Sequence, residues 1–511
     1  MTNTALDQSN RSAPETRGES PGRSAPAEVD VLIVGAGISG VGAAYHLSTQ
    51  RPGTSFAVLE SQDGFGGTWR THTYPGIRSD SDLFTFGYRF KPWTGDPIAS
   101  ADRILNYMGE VIEENNLDRH ICYGHQIDGA SWSTDEHRWT VRATRTATGE
   151  QVEVKARFLW MCQGYYRHQE GFTPTWPGME DYEGTIVHPQ TWPEDLDYTG
   201  AKVVVIGSGA TAATLIPAMA GDVDHITMLQ RSPTYFATGR NANELADTLR
   251  ELDVPDEWTH EIVRRKILHD QAIVARMSVE QPEAVKSELF TAIKGILGED
   301  YELAPHFTPR YRPWQQRLAF VPDGDLFHAI ADGKASVVTD TIERFTAKGI
   351  QLTSGETLEA DIIVTATGFN LNVLGDIAFS IDGEPLDFAR TITYHGTMFT
   401  GVPNMAWVFG YFRASWTLRA DLIADFVCRL LGHMDEKGAE MVVPVVPESD
   451  AGMTLGPWVD PENFNPGYLM RGMHLLPQQG DHEPWLHTQD YVSEREIMPA
   501  IDLDDGNLHY E

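Results

Sequence analysis

Short apolar runs recur along the chain, and glycine or a polar turn closes most of them. Examples are Asp30-Val31-Leu32-Ile33-Val34, the stretch 55–59, Phe158-Leu159-Trp160-Met161-Cys162, the stretch 202–206, Ile226-Thr227-Met228-Leu229 and Asp361-Ile362-Ile363-Val364. Runs with so little polar alternation predict strands covered on both faces, as in a parallel sheet. Residues 121–155 differ: from Trp132 through Trp139 to Val141 polar and apolar residues mix. That predicts two or three antiparallel strands with one wet face. Helical spacing predicts helices from 41 to about 48, over 104–115 and over 418–431. Between 241 and 301 the chain is heavily charged, with Trp258, Ile262, Val263, Ile267, Ala272 and Ile273 near helical spacing. This reads as an inserted helical pair with one buried face. Pro309 to Arg317, rich in Pro, Arg and aromatics, reads as an irregular packed loop, and strand-helix-strand pieces follow it. After about residue 432 the pattern is uninformative.

Two of the apolar runs open onto glycine turns. Gly35-Ala36-Gly37-Ile38-Ser39-Gly40 follows the first, and the strand over 55–59 ends at Glu60. The glycines allow a tight turn, close approach of backbone to a pyrophosphate, and close packing of helix on strand. An acid roughly 20–25 residues past the first glycine can accept from a ribose 2′-hydroxyl. The second turn is Gly207-Ser208-Gly209-Ala210-Thr211-Ala212, and its next strand ends in Gln230-Arg231-Ser232 with no acid in the place of Glu60. A carboxylate would repel a 2′-phosphate, whereas Arg231 can pair with one. The first fold is therefore expected to hold FAD and the second NADPH.

Composition bounds the setting. Three scattered cysteines, Cys122, Cys162 and Cys428, show no CxxC and no metal spacing, which points to a reducing, cytoplasmic compartment. The formal charge of −34, from 39 basic and 73 acidic residues, disfavours nucleic acid and anionic lipid as partners. No apolar run reaches the ~18 residues of a membrane span. Residues 1–28, rich in Ser, Pro, Thr and Arg without an apolar centre, read as a disordered tail rather than a signal peptide. Oligomeric state is left open.

Two further phrases carry specific spacing. Gly66-Gly67-Thr68-Trp69 is followed by Tyr74-Pro75-Gly76 and Asp80. Tyr182-x-Gly184-x3-His188-x3-Trp192-Pro193 precedes the second glycine fold. Together they resemble the signatures of the Baeyer–Villiger monooxygenases, and the phrases around Tyr74 to Asp80 and Ala414 to Leu418 resemble the ethionamide-activating branch. The second signature has Tyr182 where the family usually has Phe, which keeps the ring. The resemblance spans about residues 29–491. It implies an α/β fold of two Rossmann-like dinucleotide-binding domains with an inserted helical subdomain: 29–165 with 370–511 for FAD, 166–240 with 306–369 for NADP, and 241–305 for the insert. It implies a small ketone or thioether and O2 as substrates, and an ester or lactone as product through a C4a-peroxyflavin. It places Asp80 at the reacting end of the flavin and Arg317 as the active-site cation paired with it. It gives Gly67, Thr68 and Trp69 to the flavin and puts Thr367 and Gly368 at the crossing between domains. The linker phrase Tyr182, Gly184, His188, Trp192 and Pro193 stands just before the second nucleotide fold, so it is expected to couple domain motion to catalysis. An N- or S-oxygenase, an NADPH oxidase and a non-catalytic flavin-binding protein remain the alternatives.

Overall fold

The computed structural model describes residues 23–511, so most of the expected disordered tail lies outside the described residues. Two sheets organise the chain. In the first, of nine strands, Glu28–Val34 lies parallel between Phe56–Leu59 and Gln151–Met161, with Val31 opposite both Phe56 and Phe158. The unbroken apolar run is explained by its two faces. Val31 and Ile33 pack under helices Ile38–Gln50, Ala101–Glu114 and Trp416–Lys437, while Leu32 and Val34 face a tryptophan-rich core with Trp139, Trp407 and Trp458.

Gln151–Met161 corrects the sequence reading. The strand expected before residue 155 and the buried strand expected at 158–162 are one element. Its first half pairs antiparallel with Arg138–Arg145, and its second half pairs parallel with Glu28–Val34 and Met405–Trp407. The switch from alternating to continuous burial along it records the change of neighbours.

The second sheet is wholly parallel, in the order Ala335–Thr339, His225–Gln230, Lys202–Ile206, Ile362–Val364, Thr185–Val187. The chain passes between the sheets twice, along Tyr166–Gly171 and back along Phe369–Leu371. These two segments pair antiparallel as a two-stranded ribbon.

The insert is three helices, Glu244–Glu251, Asp256–Glu280 and Pro282–Leu297, where a pair was expected. Its buried stripe also differs. Trp258 is 64% and Ile262 38% exposed, whereas Thr259, His260, Val263 and Arg264 are buried. The long helix is held by polar anchors: Arg264 donates to the carbonyls of Phe84, Thr85 and Gly87, and His260 accepts from the Trp93 amide. An apolar count cannot see an anchor of that kind. Among the described residues no helix is long and apolar enough to cross a membrane.

Candidate functional site

The loops that follow the strands of both sheets enclose one cavity of about 770 Å³. Gly35, Gly37, Ile38, Ser39, Glu60, Gly67, Thr68 and Trp69 reach it from the first fold, and Gly209, Ala210 and Thr211 from the second. Such crevices at strand ends are where open α/β sheets bind ligands.

Both turns fit a dinucleotide. Gly40 lies beneath the first, where a Cβ would stand 1.8 Å from the Gly35 carbonyl oxygen, so only glycine lets the helix start that close. Gly207 has φ +133°, and a Cβ there would stand 2.2 Å from the Ala366 oxygen. At Gly209 a Cβ would meet nothing within 4 Å, which leaves room for a ligand. Helices Ile38–Gln50 and Ala210–Met219 have neither a side-chain cap nor an acid in the first turn. Their leading N–H groups remain available to phosphate oxygens. Glu60 is buried, and its carboxylate accepts from the Ala36 amide at 2.7 Å and the Gln62 amide at 2.9 Å. Those bonds fix it against the turn and leave lone pairs for a further donor.

The Gly66 to Asp80 phrase bridges the two folds. Tyr74 is buried in the second fold's core, and a Cβ on Gly76 would come within 2.6 Å of Ala218 Cβ. Arg78 pairs through both Nη atoms with Asp325, beyond the insert. This positioning holds Asp80 at the cavity wall. Arg317 Nε donates to Asp80 Oδ2 at 3.0 Å and Nη2 to Oδ1 at 3.3 Å. The Asp80 carboxylate raises the guanidinium's pKa further above its ordinary value, against burial, which lowers it. Arg317 thus stays charged. Its neighbours Arg310 and Arg312 do not line the cavity, and Arg312 donates to Asn463.

Several expected residues stand elsewhere. Gly207, Ser208 and Thr367 lie beneath or beside the cavity wall; the Ser208 hydroxyl bonds that of Thr234, and the Thr367 hydroxyl donates to the Phe172 carbonyl. Gly368, by contrast, lines the cavity. Arg231 and Ser232 are exposed at the end of His225–Gln230. Tyr182 donates to the Ala360 carbonyl, Gly184 packs against Asp361, and Trp192 stands edge-on to Tyr198, with Pro193 exposed. His188 lines a second, smaller hollow, shared with Gly171, Thr191 and Asn370. Its Nδ1 accepts from the Gln190 amide, so Nε2–H donates to the Gly368 carbonyl at 3.2 Å. The imidazole lies against Gly171, where a Cβ would be 1.9 Å from its Cε1. His188 therefore touches the end of one strand of the crossing ribbon, at Gly171, and the residue that leads into the other, Gly368.

Other residues emerge only from the structure. Gln163 lines the cavity with both amide atoms buried and unbonded. Arg471 donates to the Phe369 carbonyl, lies 3.5 Å over the Phe172 ring, and is close enough to Arg231 that the two cations repel. His72 is buried with a free Nε2, and burial first, then His168 and His188, lower it to about 4. Tyr165, Tyr166 and Tyr468 gather beside Arg317. Nothing in their local sequence marks them, since their neighbours come from distant segments.

Comparison with known proteins bears on this geometry. Residues 33–93 match the family model described as "NAD(P)-binding Rossmann-like domain", and residues 96–243 match "Flavin-binding monooxygenase-like". The "FAD-containing monooxygenase EthA" of Mycobacterium tuberculosis is 46% identical over 484 residues, 94% of this chain and 97% of that protein. The "Probable FAD-binding monooxygenase AlmA" of Acinetobacter baylyi is 44% identical over 485 residues, 94% of this chain and 96% of that protein. In fold the chain is similar to a solved steroid monooxygenase bound to NADP, with TM-score 0.74 at 23% identity, over 94% of this chain and 99% of that one. It is similar also to a cyclohexanone monooxygenase bound to epsilon-caprolactone, with TM-score 0.73 at 21% identity, over 95% of this chain and 100% of that one.

Proposed function

We propose a Baeyer–Villiger reaction for this chain, which belongs to the FAD-containing monooxygenases. A ketone, O2, NADPH and a proton become an ester or lactone, NADP+ and water, with thioether oxygenation as a side activity; bound FAD and NADPH supply the electron transfer and the activation of oxygen. The observation that carries this reading is Arg317, tied to Asp80, on a cavity bordered by both glycine turns.

Each residue's part follows from its place. Gly35, Gly37, Ile38 and Ser39 present backbone to the FAD phosphates, with Gly40 holding the helix close, and Glu60 takes a ribose hydroxyl. Gly67, Thr68 and Trp69 frame the flat ring. Gly209, Ala210 and Thr211 receive the NADPH phosphates. Asp80 orients Arg317, whose fixed charge stabilises the oxyanion that develops when the substrate carbonyl carbon is attacked. With both cofactors bound, the loops of both folds that line the cavity would limit the access of water to the reacting centre.

The test is to supply the holoenzyme with NADPH, air and a panel of linear, cyclic and aromatic ketones. Ester or lactone is the expected product. Hydrogen peroxide alone, with no ester from any ketone, overturns the reading.

Two narrower outcomes follow. Arg231→Ala is expected to raise the Michaelis constant for NADPH about ten- to a hundredfold, the worth of a charge-assisted pair, and to leave that for NADH unchanged. A parent that uses both coenzymes equally well refutes this assignment. His188→Ala is expected to bind both cofactors yet yield less ester per NADPH consumed, because the imidazole's link to the crossing ribbon is lost. A product yield equal to the parent's excludes a coupling role.

A further inference from the structure

The glycine turns, Asp80 and Arg317 leave one cluster on the cavity unaccounted for. Tyr165 and Tyr166 stand where the chain leaves the first sheet after Gln151–Met161, and Tyr468 comes from the short helix Gly467–Gly472. All three line the cavity with Arg317. Ring centroids are 3.9 Å apart for Tyr165 and Tyr166, 5.9 Å for Tyr166 and Tyr468, and 6.3 Å for Tyr165 and Tyr468. Tyr165 is stacked on Trp416 at 5.0 Å, and Tyr166 lies against Phe369 at 4.2 Å, so the rings are held by packing.

The hydroxyls are not equivalent. Those of Tyr165 and Tyr166 bond each other. That of Tyr468 is buried beside both and close enough to interact with each, but at angles that make neither contact a well-formed hydrogen bond. A buried hydroxyl whose protein neighbours are poorly aligned gains from a ligand that supplies a well-placed acceptor. Burial, the largest influence, raises the pKa of all three well above the usual phenol value, with Arg317 acting against it. At any working pH they are neutral O–H donors. Arg317 also only donates, and its neighbouring acceptor, Asp80, is already engaged. The aromatic walls formed by Phe369 and Trp416 suit an apolar body. The missing group is therefore an acceptor carried on an apolar molecule.

We propose that Tyr468, supported by Tyr166, donates the hydrogen bond that holds the substrate carbonyl oxygen beside Arg317. This rests on the Baeyer–Villiger reading. A carbonyl oxygen has two lone pairs and accepts from the guanidinium and the phenol together, so the two donors fix the ketone's direction as well as its charge. A thioether has no such oxygen, and its oxygenation does not call on Tyr468.

The experiment compares holoenzymes of the parent and Tyr468→Phe, which removes one oxygen and keeps the ring. Substrates are a methyl ketone and a thioether of matching shape. For the ketone, kcat/KM is expected to fall roughly tenfold or more, with thioether oxygenation and flavin reduction by NADPH unchanged. Tyr166→Phe should shift the same ratio less, because its hydroxyl already bonds Tyr165. An unaltered ketone rate, or ketone and thioether rates that fall together, overturns the proposal. A parent that makes no ester from any ketone removes the underlying reading first, and is seen before any variant is measured.

Discussion

Replacing Arg317 with Ala is expected to lower ester formation by about 10²–10³-fold, the usual effect of removing one electrostatic donor from a reacting centre, while NADPH still reduces the flavin at the parent rate. The expectation rests on where the charge stands. Arg317 Nε and Nη2 engage Asp80 across 237 residues of chain, and the rest of the fork makes no hydrogen bond among the described residues. Arg317 lines the cavity, where in the proposed reaction negative charge develops on oxygen only during oxygen insertion. Flavin reduction needs no such cation. Stopped-flow absorbance separates the two steps: bleaching by NADPH without air, then ester formation on mixing with air and ketone. Fast bleaching without ester supports the role, and ester at the parent rate removes it. Arg317→Lys is expected to fall between, because it keeps the charge and loses the planar fork that grips Asp80.

The second large effect is on stability. Arg419 is fully buried on helix Trp416–Lys437. Its Nε donates to Glu494 at 2.7 Å, and its other donors reach the carbonyls of Gly396, Phe409 and His395. Glu494 also accepts from Tyr411, whose ring borders the cavity. Arg419→Met leaves Glu494 buried without its cation and strands three carbonyls. Removing one partner of a buried ion pair costs about 3–5 kcal/mol, so the urea midpoint followed by tryptophan fluorescence should fall clearly. The double variant Arg419→Met/Glu494→Leu should recover part of the loss, since no uncompensated charge remains. A midpoint matching the parent's for Arg419→Met would show that the pair carries no such weight. Trp416, on the same helix, donates to Ser39 in the first glycine turn, so loosening this helix is also expected to weaken cofactor retention.

The division between what was legible beforehand and what was not follows from range. The apolar runs at 30–34, 202–206 and 361–364, the two glycine turns and the change of acid to arginine after the second strand are local facts. Backbone sterics and the facing of successive side chains decide them within a few residues. Gly40 had to be glycine because its neighbour in the same turn lies 1.8 Å from the place of a Cβ. What surrounds a residue from afar is set by the register of strands and the rotation of helices, which no local pattern encodes. For this reason the buried stripe of Asp256–Glu280 ran through Arg264 and His260 while Trp258 faced water. For the same reason one strand served both an antiparallel and a parallel neighbour. Sequence by itself determined the two dinucleotide folds and the residues of their turns, because each is built from consecutive residues. Tertiary structure alone decided that Tyr165, Tyr166 and Tyr468 meet at Arg317, that Arg471 approaches Arg231, and that His188 touches the crossing ribbon, because each of these contacts joins segments that only the packing of two sheets brings together.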